Sequence, residues 1–186
     1  MQVQWIAIPV VVLFGLYVIV IFNRLVGGRN RVHEAWSGID VQLRRRSDLI
    51  PNLVEVVKSY AAHERTLFED IAAKRTSAMI AIDVPGKAAA EQELQGALRR
   101  LLAIAEAYPA LKANQNFLAL QNQLAELEDQ LQMARRYYNG TVRDYNTSIQ
   151  SFPDVLIARA AGFHEEHFFQ IDDAAAATPS VAFQGS

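Results

Sequence analysis

The clearest arrangement of chemically versatile side chains is the run His164-Glu165-Glu166-His167 near the C-terminus. On a helix the two imidazoles lie at positions i and i+3 of one face, where both can bind a metal ion. The spacing differs from the H-E-x-x-H motif of metalloproteases, in which histidines at i and i+4 flank a catalytic glutamate. No third ligand beyond the intervening carboxylates is near in sequence. The alternative interpretation is a solvated polar turn without metal.

The other polar residues show no pattern typical of an active site. His33 and His63 each have one neighbouring glutamate, the serines lack a G-x-S-x-G setting, and the glycines form no phosphate-binding loop. The chain has no cysteine, which excludes disulfides and thiolate chemistry. We predict no catalytic, cofactor-binding or metal-binding residue, no cofactor, and no enzymatic activity. The alternative is a metal-dependent hydrolase or other enzyme whose site is assembled between helices.

An uncharged apolar segment covers residues 5–22 and precedes the first charged side chain, Arg24. As a helix it is roughly 27 Å long, close to the ~30 Å hydrocarbon core of a bilayer. A cleaved signal peptide is the rival interpretation, but such peptides carry positive charge before the apolar run and small residues after it. We therefore predict a transmembrane anchor over residues 1–24, with Trp5 and Phe22 at the membrane interfaces.

Basic residues cluster directly after this segment, although the net charge of the chain is only −2. Residues 23–47 contain six arginines and two acidic residues, whereas the remainder is acidic. The positive-inside rule thus places the N-terminus outside and the remainder in the cytoplasm. Arg24, Arg29 and Arg31 are predicted to contact lipid headgroups, and the triplet at 44–46 to contact protein. The acidic remainder and the lack of an aromatic platform argue against nucleic-acid binding.

The part after the anchor is organised around one apolar stripe over residues 32–78. Alternating steps of four and three residues from Val32 land on apolar side chains at eleven of fourteen positions, without a slip in phase. This predicts a helix roughly 70 Å long. Pro51 allows a kinked continuous helix or a break with Asp48 as N-cap. Gly27-Gly28 allows a hinge between the anchor and this helix.

Two further stripes with the same spacing predict a helix over residues 87–108 and a third helix after Asn114, which Phe152-Pro153 ends. Asp154 is placed to cap a short fourth helix and Gly162 to close it. The predicted fold class is all-α, with one N-terminal transmembrane helix followed by an antiparallel four-helix bundle of long helices. The predicted divisions of the chain are an anchor at 1–24, a bundle domain at 25–173 and a flexible tail at 174–186.

Three charged residues, Arg46, Glu64 and Lys74, interrupt the long apolar stripe. Their long side chains can lie along the groove and carry the charge to water. Alternatively, one or more of them pairs with a charge on another helix and fixes its register, as polar residues do in coiled coils. The expected partners on another helix are Glu126, Glu128, Arg135 and Arg136.

Several runs are more specific than helical periodicity requires, above all AWSGIDVQLRRRSDLIPNLV and YPALKANQNF. In these runs, and over nearly its whole length, the chain resembles the LemA family of bacterial membrane proteins. The resemblance implies one N-terminal span, a helical bundle on the cytoplasmic side of the inner membrane, and no accepted enzymatic activity. The motif residues to which it assigns a structural role are Trp36, Asp40, Arg45, Asp48, Pro51, Asn52, Tyr108, Pro109, Asn114 and Asn116.

These features favour a membrane-anchored structural or scaffold protein that serves envelope or membrane maintenance. The expected partners are the lipid bilayer, further copies of the chain, and unidentified membrane or envelope proteins. Self-association is expected because a common membrane plane raises the effective concentration of the copies. It is also expected because apolar residues beside the stripe widen it beyond what one neighbouring helix covers. These residues are Ala35, Leu49, Val54, Val56, Ala61 and Phe68.

Overall fold

The computed structural model describes the backbone of residues 2–170 and the side chains of residues 8–170. Every regular element in this part of the chain is an α-helix, which confirms the predicted all-α class. The predicted tail at 174–186 lies outside the described residues. The helices are α1 (Gln2–Lys58), α2 (Arg65–Ile80), α3 (Val84–Glu106), α4 (Pro109–Lys112), α5 (Gln115–Gln150) and α6 (Asp154–Ala160).

Helix α1 joins the apolar segment to the bundle without interruption. Its 57 residues pass through Gly27, Gly28 and Pro51, so the continuous helix is the correct alternative and Asp48 caps no helix. Its apolar part is long enough to cross a membrane, and only 11% of that part is buried by protein. A Cβ at Gly28 would lie 3.2 Å from Cδ2 of Tyr145 in α5. Gly28 therefore permits a close approach of two helices, and no hinge forms there.

The helix predicted over residues 32–78 is wrong at one place, because α1 ends at Lys58 and α2 begins at Arg65. Ala61 lies in the connecting turn, where its N–H donates to the Val57 carbonyl at 2.9 Å, and it is fully buried. The apolar spacing kept its phase because α1, the turn and α2 face the same core. The turn contains no glycine or proline, so the sequence offered no signal for the reversal.

Helix α5 runs antiparallel to α1 in a constant register. In each facing pair the two residue numbers add to 173 or 174. The register between the two helices therefore does not change along their length, and they stay side by side. The facing pairs are Gly28 with Tyr145, Trp36 with Tyr138, and Arg46 with Glu128. The pairing extends from the end of the apolar segment into the middle of the bundle.

The bundle has two cores, because α2 and α3 are much shorter than α5. In the distal half, far from the anchor, the α2–α3 hairpin packs on α1 and α5 around Leu53 and Leu101. This half is a four-helix bundle, but its fourth helix is α2, split from the predicted 32–78 helix, and not the predicted helix after Asp154. In the proximal half, next to the anchor, α6 and the extended residues 163–170 cover the groove between α1 and α5. We call residues 163–170 the C-terminal strap.

One of the two predicted ends of α6 is correct, and α5 has a cap that was not predicted. Asn114 caps α5, since its side chain accepts hydrogen bonds from the backbone N–H groups of Asn116 and Phe117 at 2.9 and 3.1 Å. Gly162 follows α6 with φ of +72°, a left-handed conformation that suits glycine, as predicted. Asp154 does not cap α6. It is the first residue of the helix and its carboxylate forms an ion pair with Arg24.

Pro51 explains how α2 docks on α1. Proline has no N–H, so the Ser47 carbonyl four residues earlier has no partner within the helix. Arg75 of α2 donates to this carbonyl through Nε at 2.8 Å. The proline thus creates an acceptor on α1 that a neighbouring helix uses.

We expect Arg75→Met to cost about 1.5–3 kcal/mol, the range for a hydrogen bond to a charged group. Pro51→Ala should leave the helical content unchanged and reduce this cost, because the new N–H competes for the Ser47 carbonyl. Urea unfolding of the full-length protein in a mild detergent, followed by circular dichroism, gives both values. Arg65→Met, at an exposed arginine of the same helix, is the control. Equal effects of the two arginine substitutions would refute this role of Pro51.

Candidate functional site in the proximal half

The end of the apolar segment contacts the C-terminal part of the chain. Arg24 forms an ion pair with Asp154, whose side chain is only 5% exposed, whereas the Arg24 side chain remains 59% exposed. The Phe163 ring of the strap lies edge-on to Phe22, with centroids 5.7 Å apart. The Arg29 guanidinium lies 5.4 Å from the centroid of the Phe163 ring. The first two turns after the apolar segment are therefore in contact with α6 and the strap.

Of the predicted membrane-interface residues, Phe22, Arg24 and Arg29 thus have protein contacts at the same level of the molecule. Arg31 is exposed, and the side chain of Trp5 lies outside the described part. Contact of these five residues with lipid stays a prediction.

Two asparagines of α5 hold the strap by its backbone. Asn146 donates to the Glu166 carbonyl and accepts from the Glu166 N–H, both at 2.9 Å. Asn139 makes the same pair of bonds with the Phe169 carbonyl and N–H, at 3.1 and 2.9 Å. Seven helical residues rise roughly 10.5 Å and three extended residues roughly 10 Å, so the two spacings match. We call Asn139 and Asn146 the asparagine ladder.

Aromatic side chains also hold the strap against α1 and α5. Phe169 is 2% exposed, its ring lies 5.6 Å from the Trp36 ring, and the Arg135 guanidinium lies 5.4 Å from its centroid. Trp36 in turn lies 5.4 Å from Tyr138. The Tyr138 hydroxyl donates to the His167 carbonyl at 2.8 Å. Trp36, which the resemblance marked as structural, therefore joins α1, α5 and the strap.

Burial keeps the tyrosines under the strap protonated. Removal of the Tyr138 hydroxyl from water, and then the nearby Glu166 carboxylate, raise its pKa to about 12. The pKa of Tyr145 is also raised by burial and then by Glu166, while Arg29 opposes the shift. Tyr138 is therefore a neutral hydrogen-bond donor throughout the physiological pH range.

The predicted helical face bearing His164 and His167 is wrong, because both residues lie on the extended strap. Gly162 ends α6 and the asparagine ladder holds the following backbone extended. Both histidine side chains are exposed on the strap, whereas Phe163 and Phe169 are buried against the bundle. Within residues 2–170, no group of three histidine or acidic side chains is arranged to hold a metal ion.

A charge network lies where the proximal half meets the distal half. Arg46 is 2% exposed and pairs with Glu91 of α3 and, at 3.0 Å, with Glu128 of α5. Pairing across helices is therefore the correct alternative for Arg46, and Glu128 was an expected partner. Glu91 was missed, although it precedes Leu94 by three residues and so falls on the stripe of α3. This position on the stripe was the sign in the sequence that Glu91 would be buried and would need a partner.

The other two charges on the long stripe behave differently. Lys74 pairs with Asp70 of its own helix at 3.3 Å and remains 24% exposed. Glu64 is half-buried at the residue preceding α2. For both residues the structure agrees with side chains that reach water.

Beside Arg46 a cavity of about 240 Å³ opens between α1, α2 and α3, and Asp40, Asp48, Lys87 and Glu91 are among its lining residues. Its lining is rich in charged side chains, as an enzyme site between helices would be. Lys87 lies 3.8 Å from Asp40, and Glu91 is bound by Arg46. These charges thus join the helices to one another.

The remaining motif residues fall into two groups. Tyr108 and Pro109 begin the short helix α4, and Asn114 both caps α5 and donates to the Tyr60 hydroxyl at 3.1 Å, so these three shape the distal end. Residues of the second group have exposed side chains. They are Arg45, Asp48, Pro51, Asn52 and Asn116.

Comparison with known proteins agrees with this architecture. A model of the LemA family matches residues 35–183, which include the strap and all helices after the anchor. Magnetosome proteins MamQ 1 and MamQ 2 of Paramagnetospirillum magneticum are each 26% identical over 200 residues, or 94% of this chain and 73% of the relative. Magnetosome protein MamQ of Magnetospirillum gryphiswaldense is 26% identical over 174 residues, or 80% of this chain and 64% of the relative.

The apolar N-terminal part of α1 and the family match together identify a membrane-associated protein. The match covers most of the chain, including Trp36, the asparagine ladder and the strap. The chain belongs to the LemA family.

Proposed function

We propose that this protein is a single-pass scaffold of the bacterial inner membrane, with its N-terminus outside and its bundle in the cytoplasm. In this proposal the bundle self-associates and recruits membrane or envelope proteins, and it catalyses no reaction. The observation that carries the proposal is the continuity of α1, which is both the apolar segment and the central helix of the bundle.

The exposure of the apolar segment supports membrane insertion. Val11 and Phe14 are 69% and 67% exposed, and neighbouring side chains are exposed on all sides of the helix. Such a surface is covered by lipid when it spans a bilayer. From Phe22 to Lys58, α1 then rises roughly 54 Å. The distal half therefore stands many Debye lengths, of ~8 Å each, beyond the membrane surface, as a platform for partners.

The way the bundle uses its charges supports a structural role. Arg46, Glu91 and Asp154 are buried, and each is neutralised by a charge on another element. Such pairs select one arrangement of helices. Two of the three carboxylates that line the cavity beside Arg46, Asp40 and Glu91, are also paired with charges on other helices, and we therefore favour the scaffold over the enzyme alternative.

Self-association has a different basis from the one expected from sequence. Of the residues beside the stripe, Ala35, Ala61 and Phe68 are buried within one chain, and Leu49, Val54 and Val56 are half-buried. The α2–α3 turn instead exposes a compact apolar patch. Its members are Met79, Ile80 and Ile82, which are 56%, 70% and 94% exposed. This patch and the common membrane plane support lateral contacts between copies.

Cysteine labelling tests the proposed topology, because the native chain has no thiol. We expect Gln2→Cys to react with a membrane-impermeant maleimide in intact cells. Ile82→Cys, at the most exposed position of the patch, should react only after the inner membrane is permeabilised. The opposite pattern would refute the proposed orientation, and reaction of both in intact cells would refute the membrane span.

A further inference from the structure

Two large apolar side chains are exposed at the corner between α5 and α6. Phe152 is 82% exposed and Leu156 is 61% exposed. Burial of such a side chain is strongly stabilising, so a fold that leaves two of them uncovered gives up a sizeable stabilisation. Both stand within one turn of Asp154, which is itself tied to α1.

The register of the bundle places this corner level with the end of the apolar segment. Facing residues of α1 and α5 have numbers that add to 173 or 174, and continuing this rule puts Phe152 opposite residue 21 or 22. Contacts on both sides of the corner agree. Arg24 pairs with Asp154, and Ile21 is 2% exposed because it lies in one core cluster with Ala158 of α6.

Exposed basic side chains lie on α6 beside the corner and on α1 within three turns of Phe22. Arg24 is more than half exposed, and Arg29, Arg31 and Arg159 are exposed. Of the acids near the corner, Asp154 is neutralised by Arg24, and the exposed Glu165 carboxylate accepts a hydrogen bond from Gln150 at 2.8 Å. Aromatic and apolar side chains flanked by arginines are typical of the boundary between headgroups and acyl chains.

We propose that Phe152 and Leu156 form a second membrane contact, inserting into the headgroup boundary of the leaflet from which α1 emerges. The partner is the lipid bilayer. A span alone leaves the bundle free to tilt relative to the membrane, whereas a second contact beside the span restricts this tilt. The inference rests on the proposed function only in requiring that α1 spans the membrane.

Site-directed spin labelling of the full-length protein in lipid nanodiscs tests this contact. Single cysteines replace Phe152 or Leu156, and Leu156→Cys leaves Phe152 in place if the first variant folds poorly. Leu13→Cys, in the apolar segment, is the reference for a label in lipid. Leu118→Cys, at an exposed apolar position of the distal half, is the reference for a label in water. Collision rates with oxygen, which partitions into lipid, and with a water-soluble nickel complex are measured at each label.

We expect the oxygen-to-nickel ratio at Phe152 and Leu156 to shift from the Leu118 value toward the Leu13 value. A ratio equal to that at Leu118, with Leu13 in lipid, overturns the second contact and leaves the span intact. A water-like value at Leu13 overturns the span itself. Labels at the corner that are shielded from both reagents would mean that protein covers it, which also overturns the proposal.

Discussion

Replacement of Arg46 by methionine is expected to destabilise the bundle by about 3–5 kcal/mol, the usual cost of removing one partner of a buried ion pair. Arg46 is 2% exposed and lies between Glu91 and Glu128. Without it, Glu91 is a buried carboxylate with no opposite charge. Methionine replaces the aliphatic part of the arginine side chain with an unbranched apolar one, so most of the loss is electrostatic.

Two variants separate the lost ion pair from lost packing. Arg45→Met, at the neighbouring exposed arginine, should change the stability by no more than about 0.5 kcal/mol, the usual limit for surface substitutions. The double variant Arg46→Met/Glu91→Leu should recover most of the loss, because no charge is then left unpaired. Urea unfolding in a mild detergent measures all three. Equal losses for Arg45→Met and Arg46→Met would contradict the assignment.

Replacement of both ladder asparagines by alanine is expected to release the C-terminal strap while α1 and α5 stay paired. The double variant removes four hydrogen bonds to the backbone of Glu166 and Phe169, which at about 1 kcal/mol each amounts to about 4 kcal/mol. This corresponds to roughly a thousandfold loss of protection for the strap amides. Hydrogen exchange of the full-length protein, read by mass spectrometry on peptides that cover residues 163–170, measures it.

The matched control is Asn116→Ala/Asn122→Ala, which changes two exposed asparagines of the same helix. We expect this control to leave strap exchange unchanged. Peptides from the distal core should keep their protection in both double variants. If the strap keeps its protection without the asparagine ladder, its aromatic anchors Phe163 and Phe169 hold it alone and the ladder has no role.

The spacing of hydrophobic residues was sufficient to predict those helices that bury one continuous apolar face. It predicted α1, α3 and α5, and the charge at Arg46 predicted a partner across the bundle. It could not detect the turn after Lys58, because a reversed helix that faces the same core preserves the phase of the stripe.

The strap could not be predicted for a different reason. Its backbone is held by side chains that lie 20 and 30 residues earlier, and bonds of this kind leave no periodic trace. Asn139 and Asn146 are seven residues apart, on one face of α5, and that spacing is the only local sign of a ladder. His164 and His167 looked like a helical pair because the sequence does not reveal that the strap is extended.

The continuity of α1 makes the anchor and the bundle one rigid body. Spin labels on Val20→Cys and Val41→Cys, both at exposed positions on either side of Gly27-Gly28, test it by pulsed electron resonance in nanodiscs diluted with unlabelled protein. A continuous helix predicts one narrow distance distribution centred at roughly 32 Å. A broad distribution that extends to much shorter distances would show a hinge at the glycines and would contradict the claim.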